Sequence, residues 1–170
     1  MGIFLGDHGL VKKAGFDLAA SLKQLLANTD TLYHRAHGFH WNVRGDDFYE
    51  YHEFFEEIYT DLYGSIDPIA ENIRKLGQDS PYRLVDMINL RTIQETEVTY
   101  FVEVMLTDLL VGINTLLECL NMCISYATME NQQGVLNFLA GRVEMTQKWQ
   151  WQLTVSLQYG ELGENNTNGI

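Results

Sequence analysis

Four of the five histidines (His34, His37, His40 and His52) fall between residues 34 and 52, and none follows His52. Imidazole is a common metal ligand at neutral pH, so any metal chemistry that uses it belongs to the first third of the chain. The same stretch, HWNVRGDDFYEYHEFFEEIYTDLYGSIDPIAE from His40 to Glu71, adds the carboxylates Glu56, Asp67 and Glu71. Two imidazoles and three carboxylates suit Fe(II), Mn(II) or Zn(II), and an oxygen-rich set favours oxidation of iron to the ferric state. Taken singly, each residue has a plainer reading, since acids on a helix usually form a solvated face and a histidine beside Trp41 is often a core residue. The metal reading rests on the five meeting.

The elements that must position them are helices. Only two prolines occur, and no run of β-branched residues alternates with polar ones, which together indicate an all-α protein. The spacing of Leu18, Leu22, Leu25, Leu26, Leu32, Tyr33 and Ala36 predicts a first helix from about Ala14 toward Trp41, ended by Gly45. Asp46 or Asp47 can cap a second helix carrying Phe55, Ile58, Tyr59, Leu62, Ile66, Ile69, Ile73 and Leu76, which stops at Gly77 and is interrupted by a kink at Pro68. Residues 77–92 read as a connection with a short helical piece at Tyr82–Leu90. A third helix is expected from about Ile93 to Tyr126, apolar around much of its circumference and so the most buried. A fourth follows ATMENQQG and covers about Gln132 to Leu157, with Val135, Leu139, Val143, Trp149 and Leu153 inward. The resulting organisation is an arm over residues 1–13, a four-helix bundle over 14–158 with a short helix in the link between its second and third helices, and a flexible acidic tail over 159–170.

The ligand candidates do not point into that bundle. At about 100° per residue, with His52 at zero, Glu56 falls near +40°, Asp67 near +60° and Glu71 near +100°. The apolar stripe from Tyr59 to Leu76 lies between about −20° and −120° on the same wheel. His52 and Asp67 are also about 22 Å apart along the helix, so one metal cannot touch both in one chain. A second copy lying antiparallel across a two-fold axis near residues 61–62 would bring the His52/Glu56 pair of one subunit opposite Asp67/Glu71 of the other, with His40 as the third ligand on the histidine side. His37, three residues before His40, is placed to orient the ligands. His34 is rotated away. Trp41, Tyr49, Tyr51, Tyr59 and Tyr63 surround the region as packing or interface aromatics that could also intercept oxidising equivalents.

Composition limits the partners. Eleven basic against 23 acidic residues give a net charge of −12, which attracts cations and repels nucleic acid and anionic membrane. No basic leader with an apolar core opens the chain and no apolar run reads as a membrane span, so a cytoplasmic protein is expected. Cys119 and Cys123, four apart on one helix, read as reduced core residues.

The block HWNVRG at 40–45, with His52, Glu56, Asp67 and Glu71 at offsets of 12, 16, 27 and 31 from His40, resembles the Dps-type miniferritins, the family named for the DNA-binding protein of starved cells. The likeness extends over nearly the whole chain, including the link and the Trp-containing last helix. It implies a ferritin-like four-helix subunit, a hollow homo-dodecamer, and ferroxidase sites of one or two irons, Fe(II) passing to Fe(III), at the two-fold interfaces. Position by position, His40 and His52 would be ligands from one subunit and Asp67 and Glu71 from its partner. Glu56 stands where the family usually has Asp. The family further implies oxidation of Fe(II) by hydrogen peroxide in preference to oxygen, mineral deposition inside the shell, and carboxylate-lined pores for which Glu130 is a candidate.

Other readings stay in view. A bundle-centred di-iron protein such as a ferritin, bacterioferritin or manganese catalase needs Glu-x-x-His motifs on facing helices, and this sequence has none. A structural assembly with an inactive or zinc-occupied site uses the same residues. Nucleoid binding of the kind the family name describes commonly uses a lysine-rich arm, whereas the arm over residues 1–13 has a single basic pair, Lys12 and Lys13. DNA binding at physiological salt is not expected.

Overall fold

The computed structural model describes residues 17–164, so the expected arm, the expected start of the first helix at Ala14 and the end of the tail lie outside the described residues. Within them every regular element is a helix: α1 (Leu18–Asn42), α2 (Phe48–Lys75), α3 (Leu84–Leu90), α4 (Val102–Met129) and α5 (Gln133–Glu164). Four are long and one is short, the all-α bundle with a short helix in its central link. α1 packs on α2 and α4, α4 packs on α5, and α3 lies against α1.

The helix ends follow from local chemistry. Asp17 caps α1, its carboxylate accepting from the Ala20 N–H at 2.9 Å, while the Leu18 N–H donates to Glu130 Oε1 at 3.1 Å. Two donors that a helix start leaves without partners are thereby satisfied. The proposed pore residue Glu130 thus bonds the start of α1. Asp47 precedes α2 but makes no side-chain cap. α2 ends in a Schellman turn, with Gly77 at φ +76° and hydrogen bonds from Gly77 N–H to Arg74 O (2.9 Å) and from Gln78 N–H to Ile73 O (3.3 Å).

The core is built from the apolar stripes: Leu22, Leu25, Leu26 and Leu32 of α1, Phe55, Ile58, Leu62, Ile69 and Ile73 of α2, Met105, Leu109, Ile113, Leu116 and Leu120 of α4, and Val135, Leu139, Trp149 and Leu153 of α5. Cys119 and Cys123 are free and buried among them. The Cys119 thiol is pushed well up, first by its hydrogen bond with Cys123 and then by burial.

Four expectations need correction. α2 runs unbroken through Pro68, with Gly64 exposed so that solvent can meet the carbonyl the proline cannot bond. Residues 93–101 are not helical. Asn28, fully buried in α1, holds that strap with its Oδ1 accepting from the N–H groups of Thr92 (2.8 Å) and Ile93 (3.2 Å). Farther along, Arg35 bonds the Gln94 carbonyl and pairs with Asp108 at 3.0 Å, and Asp108 also accepts from Thr96 Oγ1 at 2.6 Å. These side-chain bonds give the backbone an alternative to the helix. α4 is not the most buried helix either: Val104 and Val111 on its outer face are exposed, whereas α1 buries polar Ser21, Asn28, Thr29 and Thr31 as well as its leucines. α4 is long and apolar enough to cross a membrane by length and composition alone, but half of its most apolar part is buried in the bundle, where it serves as a core helix. α5 extends to Glu164, beyond the expected Leu157.

Candidate metal centre

A tight reversal between α1 and α2 brings the histidines together. Val43 closes α1, its N–H donating to Phe39 O at 2.9 Å and its side chain buried. Gly45 then adopts φ +123°, a conformation that L side chains rarely tolerate, and its carbonyl receives the Phe48 N–H at 3.2 Å. The chain folds back on itself so that His40, in the last turn of α1, faces His52, in the second turn of α2.

The two imidazoles fix each other. His40 Nδ1 lies 2.8 Å from the His52 carbonyl oxygen, and His52 Nδ1 lies 2.9 Å from the His40 carbonyl oxygen. A carbonyl only accepts, so each Nδ1 carries a proton and donates it. Each Nε2 of the neutral ring is left with its lone pair free for a cation. The His40 carbonyl belongs to a helix end, where the last C=O groups lack intrahelical partners. The rings stack with centroids 3.7 Å apart and 22° between planes.

Glu56, one turn after His52, completes a group whose ligand atoms lie within 4.8 Å of one another; the histidines are half-buried and Glu56 is exposed. Tyr59 borders it, edge-on to His40 (5.2 Å, 74°) and stacked on His37 (4.1 Å, 26°). Burial first, and then the charge of Glu56, push the Tyr59 hydroxyl above its usual range. His37 also lies against Trp41, 4.1 Å between centroids. Its imidazole is held below the usual range by burial first, then by His40 and His34, against an opposing pull from Glu56. A neutral His37 adds no positive charge beside the three ligand candidates.

Asp67 and Glu71 are exposed farther along α2 and take no part in this group. Their separation from His52 is that of the helix itself, about 22 Å for Asp67. Within one chain, therefore, three of the five candidates meet and two do not. His34 is exposed and lies 3.7 Å from Asp30.

Sequence reading missed one set of residues on α2. Asp61 accepts from both terminal nitrogens of Arg142 and from Trp149 Nε1, at 2.7, 2.8 and 2.8 Å. An acid on a helix otherwise looks like a solvated residue; the adjacent Arg142 and Trp149, two turns apart on the last helix, were the only hint.

Comparison with known proteins agrees with this architecture. The Ferritin-like domain model matches residues 19–162. An uncharacterized protein of Haemophilus influenzae is 29% identical over 150 residues, 88% of this chain and 94% of its own length. The DNA protection during starvation protein 2 of Bacillus anthracis is 28% identical over 136 residues, 80% of this chain and 93% of its own. The crystal structure of the DPS protein from Vibrio cholerae O1, described as a member of a broad superfamily of ferritin-like diiron-carboxylate proteins, superposes with a TM-score of 0.79 at 28% identity, covering 89% of this chain and 99% of that one. The chain belongs to the ferritin-like domain family, as a Dps-type miniferritin.

Proposed function

We propose that this protein is a ferroxidase and iron-storage protein that takes Fe(II) as substrate at sites shared by two subunits and stores the ferric product inside a dodecameric shell. The observation that carries the reading is the pair of imidazoles locked Nδ1 to carbonyl, with Glu56 alongside and both Nε2 atoms free. Ferrous iron accepts such a mixed nitrogen and oxygen set, and the carboxylates favour its ferric state. Asp67 and Glu71 of a two-fold partner would complete each site, so assembly precedes chemistry.

The oxidant is hydrogen peroxide in preference to oxygen. Two Fe(II) each give one electron to one peroxide, whose O–O bond breaks and takes up two protons to leave two waters. Spending both electrons in one place avoids release of hydroxyl radical. The net charge of −12 draws cations to the surface. Two free buried thiols suit a reducing compartment, and we place the protein in the cytoplasm.

The test is anaerobic addition of Fe(II) to the purified assembly, then peroxide or oxygen, with ferric absorbance followed in wild type, His52→Ala and Glu71→Ala. Both variants should oxidise iron far more slowly. Equal rates in all three would overturn the site assignment, and a wild type that binds Zn(II) without oxidising Fe(II) would favour the inactive-assembly reading.

A further inference from the structure

The reversal that joins the two histidine-bearing helix ends has little packed against its outer side. Residues 44–47 are exposed, a Cβ at Gly45 would meet nothing within 4 Å, and Asp47 makes no side-chain cap. A ring from far along the chain does reach it: the Arg44 guanidinium sits 4.2 Å from the centroid of Tyr100. Tyr100 stands at the end of the strap that links α3 to α4, two residues before α4 begins at Val102. The strap's start is tied to α1 by Asn28 and Arg35. Its end is tied to α4, where the Met105 N–H donates to Phe101 O at 3.0 Å. Between those ties, residues 96–99 line a cavity of about 500 Å³ toward α4 and another of about 210 Å³ toward α1. The middle of the strap is loosely packed and its two ends are held.

We propose that Tyr100 is a positioning residue for the metal centre: with Arg44 stacked on its ring, it braces the reversal and so keeps His40 and His52 in register. This inference rests on the reading of those histidines as a metal site and adds to it the group that steadies their connection. His40 lies four residues before Arg44 and His52 eight after it. A shift of the reversal moves the last turn of α1 against the second turn of α2, and both Nδ1–carbonyl bonds, at 2.8 and 2.9 Å, lengthen with it. The attraction of a cation for the face of a ring needs the ring and not the hydroxyl, and a planar guanidinium can stack on it. Phenylalanine therefore keeps the brace, and leucine, of apolar bulk without a π face, loses it.

Two measurements on intact assemblies test this: anaerobic titration with Co(II), followed by its visible absorption, and hydrogen exchange of the metal-free protein at residues 43–48. The proteins are wild type, Tyr100→Leu, Tyr100→Phe, Arg44→Ala, the double variant Arg44→Ala/Tyr100→Leu, and His52→Ala. Tyr100→Leu should weaken Co(II) binding roughly two- to fivefold, the scale of an exposed cation–π contact, and speed exchange at residues 43–48. Tyr100→Phe should match wild type in both. In the Arg44→Ala background the leucine change should weaken binding no further. Wild-type affinity in Tyr100→Leu, an equal loss in Tyr100→Phe, or losses that add in the double variant overturn the brace while leaving the metal site intact. If His52→Ala binds Co(II) as wild type does, the metal-site reading falls, and the positioning role with it.

Discussion

Asp61 and Arg142 form a two-pronged ion pair, Oδ1 to Nη1 at 2.7 Å and Oδ2 to Nη2 at 2.8 Å, that ties α2 to α5. On the helical wheel Asp61 lies about 180° from His52, so the pair fixes the rotation of α2 and with it the outward direction of the ligand stripe. Burial is the largest influence on the Asp61 carboxyl and opposes its ionisation. The Arg142 hydrogen bonds and charge, with the Trp149 N–H, outweigh it and hold the group below the usual carboxylate range.

Asp61→Ala leaves the half-buried Arg142 without its partner and should cost about 2–4 kcal/mol, toward the low end of what breaking a buried pair costs. The sign of the pH effect follows from the lowered folded-state value. Stability from this carboxylate is fully present above the unfolded-state value, about 3.9, and is lost as pH falls through the folded one. Thermal midpoints of wild type and variant should therefore differ at neutral pH by roughly 5–15 °C and converge in acid. A gap that widens in acid contradicts the assignment.

Gly112 lies where α4 crosses α1, and a Cβ there would sit 2.4 Å from Leu32 Cδ2 and 3.3 Å from Arg35 Nη1. Replacing glycine in a helix gains about 1 kcal/mol of propensity. Moving the fully buried Leu32 and disturbing the Arg35–Asp108 pair costs about 1–3 kcal/mol. Gly112→Ala should thus be destabilising or close to neutral; a clear rise in thermal midpoint would show that Leu32 can give way freely.

Asn28 and the strap after α3 offer a local test. Asn28→Ala removes the acceptor for the Thr92 and Ile93 N–H groups and the donor to Thr92 Oγ1. An unsatisfied buried donor costs about 1–3 kcal/mol. Hydrogen exchange should accelerate at residues 92–101 while the core of α2 stays protected. Uniform acceleration throughout the bundle would mean that Asn28 supports the whole fold instead of the strap.

Gel retardation tests the nucleic-acid side. With 11 basic residues against 23 acidic ones, few phosphates can be neutralised and counterion release is small. A linear duplex should run unshifted with the assembled protein at physiological salt. A salt-sensitive shift would contradict this and point to Lys12 and Lys13.

Much of this molecule was legible in its sequence because its helices bury one stripe each. The periodicity of Leu22 to Ala36 and of Phe55 to Ile73 located α1 and α2, and the offset of the His52 stripe from those apolar positions set the candidate ligands outside the core. What could not be read depends on partners far along the chain. Ile93, Val98 and Phe101 resemble a continuation of α4, yet Asn28, 64 residues before Thr92, holds the start of that segment in a non-helical path. The Asp61–Arg142 pair spans 81 residues. The reciprocal bonds of His40 and His52 use backbone carbonyls, which carry no sequence signal at all.

A site that draws His52 from one chain and Glu71 from another can be rescued by complementation between subunits. His52→Ala and Glu71→Ala subunits, each inactive when assembled alone, are co-expressed in equal amounts and purified as mixed assemblies of roughly 230 kDa, the mass expected for a dodecamer of 19.5 kDa chains. If His52 of one subunit works with Glu71 of its neighbour, random pairing leaves about a quarter of the sites with both residues intact, and Fe(II) oxidation should return to about that fraction of the wild-type rate. Mixed assemblies as inactive as either parent would contradict the account, because they would place both residues' action within one chain.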